Sequence, residues 1–356
     1  MLREFHSKGL SPLMLVHGGR LRQAAQRCGI PPEHWLDLST GINPNGWPAP
    51  PLPAALWQRL PEEGDGLEEA AQAYYETSGL LAVAGSQAAI QALPWLRGAS
   101  DVAILHPGYA EHAAAWAKAG HRLRLVTAEQ LSDGLPKADV LVLIQPNNPT
   151  GQRFDRTLLL DWHDRLAARG GWLVVDEAFI DATPEQSLAT LGPRPGLVVL
   201  RSLGKFFGLA GARVGFVLAE PQLREALREA LGPWTIATPA RWLAQRALAD
   251  RPWQSMTRRT LPHATQRLAD LLSRLGLPPS GGCALFQWVA TPRAPGLHDA
   301  LAREAVLARL FTDPPSLRFG LPGDASAWIR LEAALGEAAR RAEQTQRCKP
   351  NRQLEK

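Results

Sequence analysis

Between residues 80 and 220 one theme recurs: a short run of Val, Ile and Leu, a polar or glycine-bearing break, then a helical pattern. Apolar runs this short and this continuous suit strands buried on both faces, and strands that alternate with helices build a mostly parallel sheet. The spacing predicts strands over 102–105, 140–144, 172–175 and 197–200. Each runs straight into a conspicuous loop: HPGY (106–109), QPNNPTG (145–151), DEAF (176–179) and RSLGK (201–205). Ligands of open parallel sheets bind beyond the carboxyl ends of the strands, so these four loops should meet at one site.

After about residue 220 the pattern changes to helices rich in Arg, Ala and Leu, such as PQLREALREALG and HATQRLADLLSRLG. Short strand-like pieces follow, ALFQWV (284–289) and SLRFGL (316–321), which together read as a second, smaller α+β domain. With 356 residues, two domains are expected. The expected organisation is an N-terminal arm over 1–45, a large domain over 46–230, a small domain over 231–345 and a flexible tail over 346–356. The Pro-rich NPNGWPAPPLP (43–53) would be the extended link between arm and large domain.

Composition narrows the function classes. The apolar runs fall far short of the roughly 18–20 residues that span a bilayer, and the N-terminus carries Glu4, His6 and Lys8 with no small-residue cleavage site. A cytoplasmic protein with no membrane contact is expected. The three cysteines, Cys28, Cys283 and Cys348, show neither CxxC spacing nor a neighbouring histidine cluster, so free thiols are expected rather than zinc or disulfides. The net charge of +5 forms no basic stripe interleaved with aromatics, which speaks against nucleic acid and is compatible with a small anionic substrate.

The chemistry gathers at RSLGKFFGLAGARVG. Lys205 follows a strand and precedes Phe206 and Phe207; by itself it is an ordinary loop lysine, but an apolar setting disfavours the ammonium and suits an amine that bonds a carbonyl. Ser202 and Arg213 on either side supply a hydroxyl and a forked cation, both good phosphate ligands. In AGSQAAI, Gly85, Ser86 and Gln87 open a helical pattern, whose first N–H groups either bind an anion or are simply capped. Asp176 closes the apolar run WLVVD, and a carboxylate buried there needs a cationic partner. The other reading, Asp176 with Glu177 as an acid–base pair or metal site, is disfavoured because no histidine lies near in sequence.

The order of these elements along the chain resembles that of the pyridoxal-phosphate enzymes of the aspartate-aminotransferase fold, fold type I. The resemblance implies that Lys205 holds the aldehyde of pyridoxal 5'-phosphate, while Gly85, Ser86, Gln87, Ser202 and Arg213 hold its phosphate. It further implies that Asp176 pairs with the protonated ring nitrogen, Asn148 bonds the ring's 3-oxygen and Tyr109 stacks on the ring. Two positions depart from the family pattern: Phe179 stands where a tyrosine is usual, and Leu60-Pro61 where relatives carry a Tyr-Pro pair that reaches the partner subunit.

Within this family, VHGG (16–19) followed by LDLSTGINPNG (36–46) is similar to the opening of the threonine-phosphate decarboxylases, relatives of the histidinol-phosphate aminotransferases. That likeness implies a phosphorylated amino acid as substrate, with His17, Gly18 and Gly41 near its phosphate. Asn148 also faces the substrate, Arg318 meets the α-carboxylate and Arg309 the phosphate. It implies a homodimer, loss of carbon dioxide from L-threonine O-3-phosphate and a place in cobalamin biosynthesis. Transamination uses the same groups and stays open from the residues alone, as does, more remotely, a non-catalytic regulator.

Overall fold

The computed structural model describes Leu15 and residues 17–347, which divide into two compact units. The larger holds Leu15 and 45–261; the smaller holds 17–44 and 262–347. In chain order the smaller unit begins with α1 (Leu21–Cys28) and β1 (Leu36–Asp37). The larger unit follows with α2 (Leu67–Tyr75), β2 (Leu80–Val83), α3 (Ser86–Ala92), β3 (Asp101–Leu105), α4 (Ala110–Lys118), β4 (Arg122–Val126) and α5 (Ala128–Asp133). It continues with β5 (Val140–Ile144), α6 (Arg156–Ala167), β6 (Trp172–Asp176), β7 (Leu197–Ser202), β8 (Gly215–Leu218), α7 (Pro221–Leu231) and α8 (Thr238–Ala249). The division falls inside α9 (Arg251–Arg274), at Pro262. The smaller unit ends with β9 (Gly281–Cys283), β10 (Phe286–Ala290), α10 (Ala294–Arg303), β11 (Val306–Leu307), β12 (Arg309–Thr312), β13 (Pro315–Gly320) and α11 (Ala325–Arg347).

All four predicted strands of the larger unit form, as β3, β5, β6 and β7. They belong to a seven-stranded sheet of order β2-β8-β7-β6-β5-β3-β4, in which β8 alone runs against the rest. Every residue of VLVLI in β5 is buried, as a strand covered on both faces requires. Ile90 of α3 and Trp116 of α4 pack on Val102, Val140, Val174 and Val198 of the sheet. Each such side chain contributes roughly 1.5–3 kcal/mol by leaving water. Because β3, β5, β6 and β7 are consecutive parallel neighbours, their carboxyl ends share one edge, and that is what gathers the four loops.

In the smaller unit β12-β13-β10-β9 form an antiparallel sheet, and β1 pairs in parallel with β11. The chain leaving β1 is laced on both sides: Leu38 N–H donates to Leu307 O at 2.9 Å, and Gly320 N–H donates to Leu38 O at 2.7 Å.

The division lies at 261, not at the expected 230. α8 belongs to the larger unit because Arg241 ion-pairs with Asp65 and Glu68, each at 2.7 Å, and the start of α9 follows because Trp253 stacks on Phe207. The Arg/Ala/Leu composition is alike on both sides of that point, so sequence has nothing there to mark it. α11 runs through Arg347, beyond the expected start of the tail at 346. Residues 1–14, Val16, Cys348 and the remaining tail lie outside the described residues. Among the described residues no helix is long and apolar enough to cross a membrane.

Candidate functional site

In the larger unit Asp176 sits at the last position of β6, 4% exposed. One carboxylate oxygen accepts from the Ala178 N–H at 3.0 Å, and the other lies 3.0 Å from Nε2 of His112 in α4. Sequence reading missed His112, which stands 64 positions away. Its signal was a histidine on the apolar face of the helix directly after HPGY. Glu177, the residue just past β6, is turned to a different set of partners, which agrees with the pair reading of Asp176 with Glu177 being the disfavoured one. Arg201 takes Glu177 instead, at 2.8 Å, and Asp181 at 2.5 Å. Ser187 and the Leu188 N–H also donate to Glu177. Burial works against the Arg201 charge, but Asp181 and Glu177 outweigh it and hold the guanidinium firmly protonated. Burial pushes the Glu177 carboxyl up while Arg201 opposes it. The network therefore clamps β6, just after Asp176, to β7, just before Ser202. Tyr74 extends it by donating to Asp181 at 3.0 Å, and Arg258 donates to the Tyr74 oxygen at 3.0 Å.

Lys205 lies half-buried three residues beyond β7, with Nζ 5.3 Å from the ring centre of the buried Phe179. Ser202 Oγ accepts from the Gly204 N–H at 3.2 Å, which tightens the turn ahead of the lysine. Arg213 adopts a left-handed backbone, φ 54°, and its guanidinium lies against Gly85. A Cβ at Gly85 would stand 2.7 Å from Arg213 Nη2, and Gly85 has φ +72°. Only glycine leaves this cradle open beside the first residues of α3. The Gln87 side chain is engaged elsewhere: it accepts from Tyr109 OH at 3.1 Å and donates to Glu111 at 2.8 Å. Its contribution to the cradle is thus its backbone. Tyr109 stands between β3 and α4, edge-on to His112. Asn148 is half-buried in the loop after β5, while Asn147 is fully buried and braces that loop by donating to Pro107 O and Thr150, both at 2.8 Å. Leu60 is 62% exposed.

In the smaller unit Arg318 is 4% exposed, donates to the Ser39 carbonyl oxygen at 2.7 Å and lies over the Phe286 ring. Burial draws its guanidinium down to about 10, still charged at neutral pH. Arg309 of β12 stands directly opposite Arg318 of β13. Two like charges opposed on one sheet face repel, an arrangement that an anion resolves. Gly18 packs so closely on Ser39 that a Cβ would collide with its carbonyl oxygen, and Gly19 has φ +75°. This explains the two glycines of VHGG. His17 is half-buried at the start of that loop. Gly41 has φ +62°, a region open to glycine and, among larger residues, to asparagine. Among the described residues no group of His, Cys, Asp and Glu is arranged to hold a metal ion.

A mostly parallel sheet with an amine, a glycine–arginine cradle and a buried carboxylate at one edge defines a class. The family profile for aminotransferase class I and II matches residues 61–344, and the chain belongs to that family. A threonine-phosphate decarboxylase from Pseudomonas aeruginosa is 56% identical over 322 residues, 90% of this chain and 97% of that protein. One from Sinorhizobium sp is 40% identical over 332 residues, again 90% and 97%. Among solved structures, histidinol-phosphate aminotransferase from Sinorhizobium meliloti in complex with pyridoxal-5'-phosphate matches with TM-score 0.80 at 20% identity, covering 95% of this chain and 99% of that one. L-threonine-O-3-phosphate decarboxylase from Porphyromonas gingivalis matches with TM-score 0.71 at 20% identity, covering 84% and 97%. These two likenesses show the fold. The cofactor is pyridoxal 5'-phosphate, and the residues fit it: the Gly85–Arg213 cradle suits a phosphate, the Lys205 amine an aldehyde, and the Asp176 carboxylate a protonated ring nitrogen.

Proposed function

We propose that the chain decarboxylates L-threonine O-3-phosphate, releasing carbon dioxide and (R)-1-amino-2-propanol O-2-phosphate for cobalamin biosynthesis. The observation that carries this reading is the 56% identity to a threonine-phosphate decarboxylase across 90% of the chain. When bound, the cofactor draws electrons away from the α-carbon of the amino acid it holds. Ser202, Arg213 and the backbone of Gly85, Ser86 and Gln87 hold its phosphate; Asp176, oriented by His112, keeps its ring nitrogen charged; Asn148 and Tyr109 position the ring. The charged, buried Arg318 takes the substrate's α-carboxylate. His17, Gly18, Gly41 and Arg309 take its phosphate. Holding both ends decides which bond of the α-carbon is presented for cleavage. After carbon dioxide leaves, Lys205 delivers the proton that replaces it. On the same reading the enzyme is a cytoplasmic homodimer.

The test is incubation of the holoenzyme with L-threonine O-3-phosphate and no 2-oxo acid. Carbon dioxide and aminopropanol phosphate are the expected products. Glutamate formed from histidinol phosphate and 2-oxoglutarate, with no carbon dioxide from the first mixture, would assign the chain to transamination instead.

A further inference from the structure

Ser39 is 2% exposed and makes four hydrogen bonds: two to Asp37, one with the Gly19 N–H and one with Arg318. Its Oγ donates to Asp37 Oδ1 at 2.6 Å and accepts from the Gly19 N–H at 2.8 Å. Its own N–H donates to the same Asp37 oxygen at 2.8 Å. Its carbonyl oxygen accepts from Arg318 Nη2 at 2.7 Å, across 279 positions of sequence. The two bonds to Asp37 hold Ser39 by its amide and its side chain, and so steady the residue whose carbonyl Arg318 meets. The bond from Gly19 fixes the loop that begins at His17, and the close seat of Gly18 on the same carbonyl leaves that loop no slack.

We propose that Ser39 is a positioning residue that sets the separation between the two anion-binding elements of the smaller unit, Arg318 and the loop 17–19, and so selects ligands by the distance between their carboxylate and phosphate. The proposal rests on the assignment of those two elements to the two ends of a phosphorylated amino acid. Ser39 touches neither end; it acts through Gly19 and Arg318. Arg318 is braced from the other side by the Phe286 ring. Because its bond to Ser39 is to backbone, removing the hydroxyl frees the loop relative to the arginine without deleting either binding group.

The test measures dissociation constants by calorimetry on the holoenzyme with 3-phosphoglycerate, which carries both anions but no amine to react, and with inorganic phosphate. In Ser39→Ala, 3-phosphoglycerate should bind about tenfold more weakly, the size of the lost hydrogen bond that ties Gly19 to Ser39. Inorganic phosphate, which needs no fixed separation, should change less than twofold, and the cofactor's absorbance should stay the same. Asp37→Ala should behave like Ser39→Ala, while Asp37→Asn, which keeps an acceptor, should retain wild-type affinity and guards against misfolding. Equal weakening for both ligands, or for neither, would overturn the proposal, as would a wild-type enzyme that binds 3-phosphoglycerate no better than phosphate. Turnover of L-threonine O-3-phosphate is measured separately. If the wild type releases no carbon dioxide, the proposed function fails while the binding comparison still decides the role of Ser39.

Discussion

The two units collect their polar groups in opposite ways. In the larger, four neighbouring parallel strands end at one edge, and each delivers a contiguous motif, so topology alone brings Tyr109, Asn148, Asp176 and Ser202 together. The charges beneath are paired with one another: Arg201 with Glu177 and Asp181, all fully buried. In the smaller, β1 and β11 are two residues long, and the polar cluster depends on single contacts between distant segments, such as Arg318 on the Ser39 carbonyl. A sheet edge tolerates the loss of one contact because the strands still converge. A cluster built on contacts between short strands and loops is more sensitive to such a loss. Damage to the charge network of the larger unit should therefore appear as lost stability or cofactor, and damage in the smaller as lost substrate affinity.

The largest expected effect is in Lys205→Ala, where turnover and the absorbance of cofactor joined to the lysine should both vanish; retained activity would break the reading of the larger unit. Next comes Arg201→Met. It leaves two buried carboxylates without their cation, a loss of about 3–5 kcal/mol in chemical denaturation; a loss below about 1 kcal/mol would mean the network is not what ties β6 to β7. Arg318→Lys replaces a fork by a point charge and should raise KM for the substrate roughly tenfold or more with the cofactor spectrum intact. In His112→Leu, Asp176 loses its side-chain partner, and cofactor should dissociate more readily by about 1–3 kcal/mol while substrate KM stays level. A shift in KM instead would blur the contrast between the units.

The smallest effect is in pH dependence. Burial holds the His298 imidazole below its ordinary range, with Arg27 and Arg309 adding to burial and Asp299 opposing it. The folded protein thus binds this proton less readily than the unfolded chain, and stability falls as pH drops below about 6.5 through the lower folded value. In His298→Asn the decline of Tm between pH 7 and pH 5 should be shallower by a small amount; an unchanged slope would remove this group from the account.

What sequence by itself determined is whatever a local pattern carries. The four apolar runs became β3, β5, β6 and β7 because continuous Val, Ile and Leu in so short a stretch can hardly be satisfied except between two layers of helices. The order of the loop motifs pointed to Lys205, Asp176, Ser202 and Arg213 as candidates because Asp176 closes β6, Ser202 and Lys205 come at and just after the end of β7, and Arg213 comes just before β8. The boundary at 261 was not legible, since α8 and α9 are joined to the larger unit by Arg241 and Trp253, residues that look alike in any amphipathic helix. Only the tertiary structure decided that Asp176 has His112 as partner, that Glu177 belongs to Arg201, and that Ser39 holds Gly19 and Arg318. Hydrogen bonds and ion pairs act over about 3 Å in space and are blind to separation along the chain. Residues 20, 64 or 279 positions apart become partners only once the backbone has folded them together.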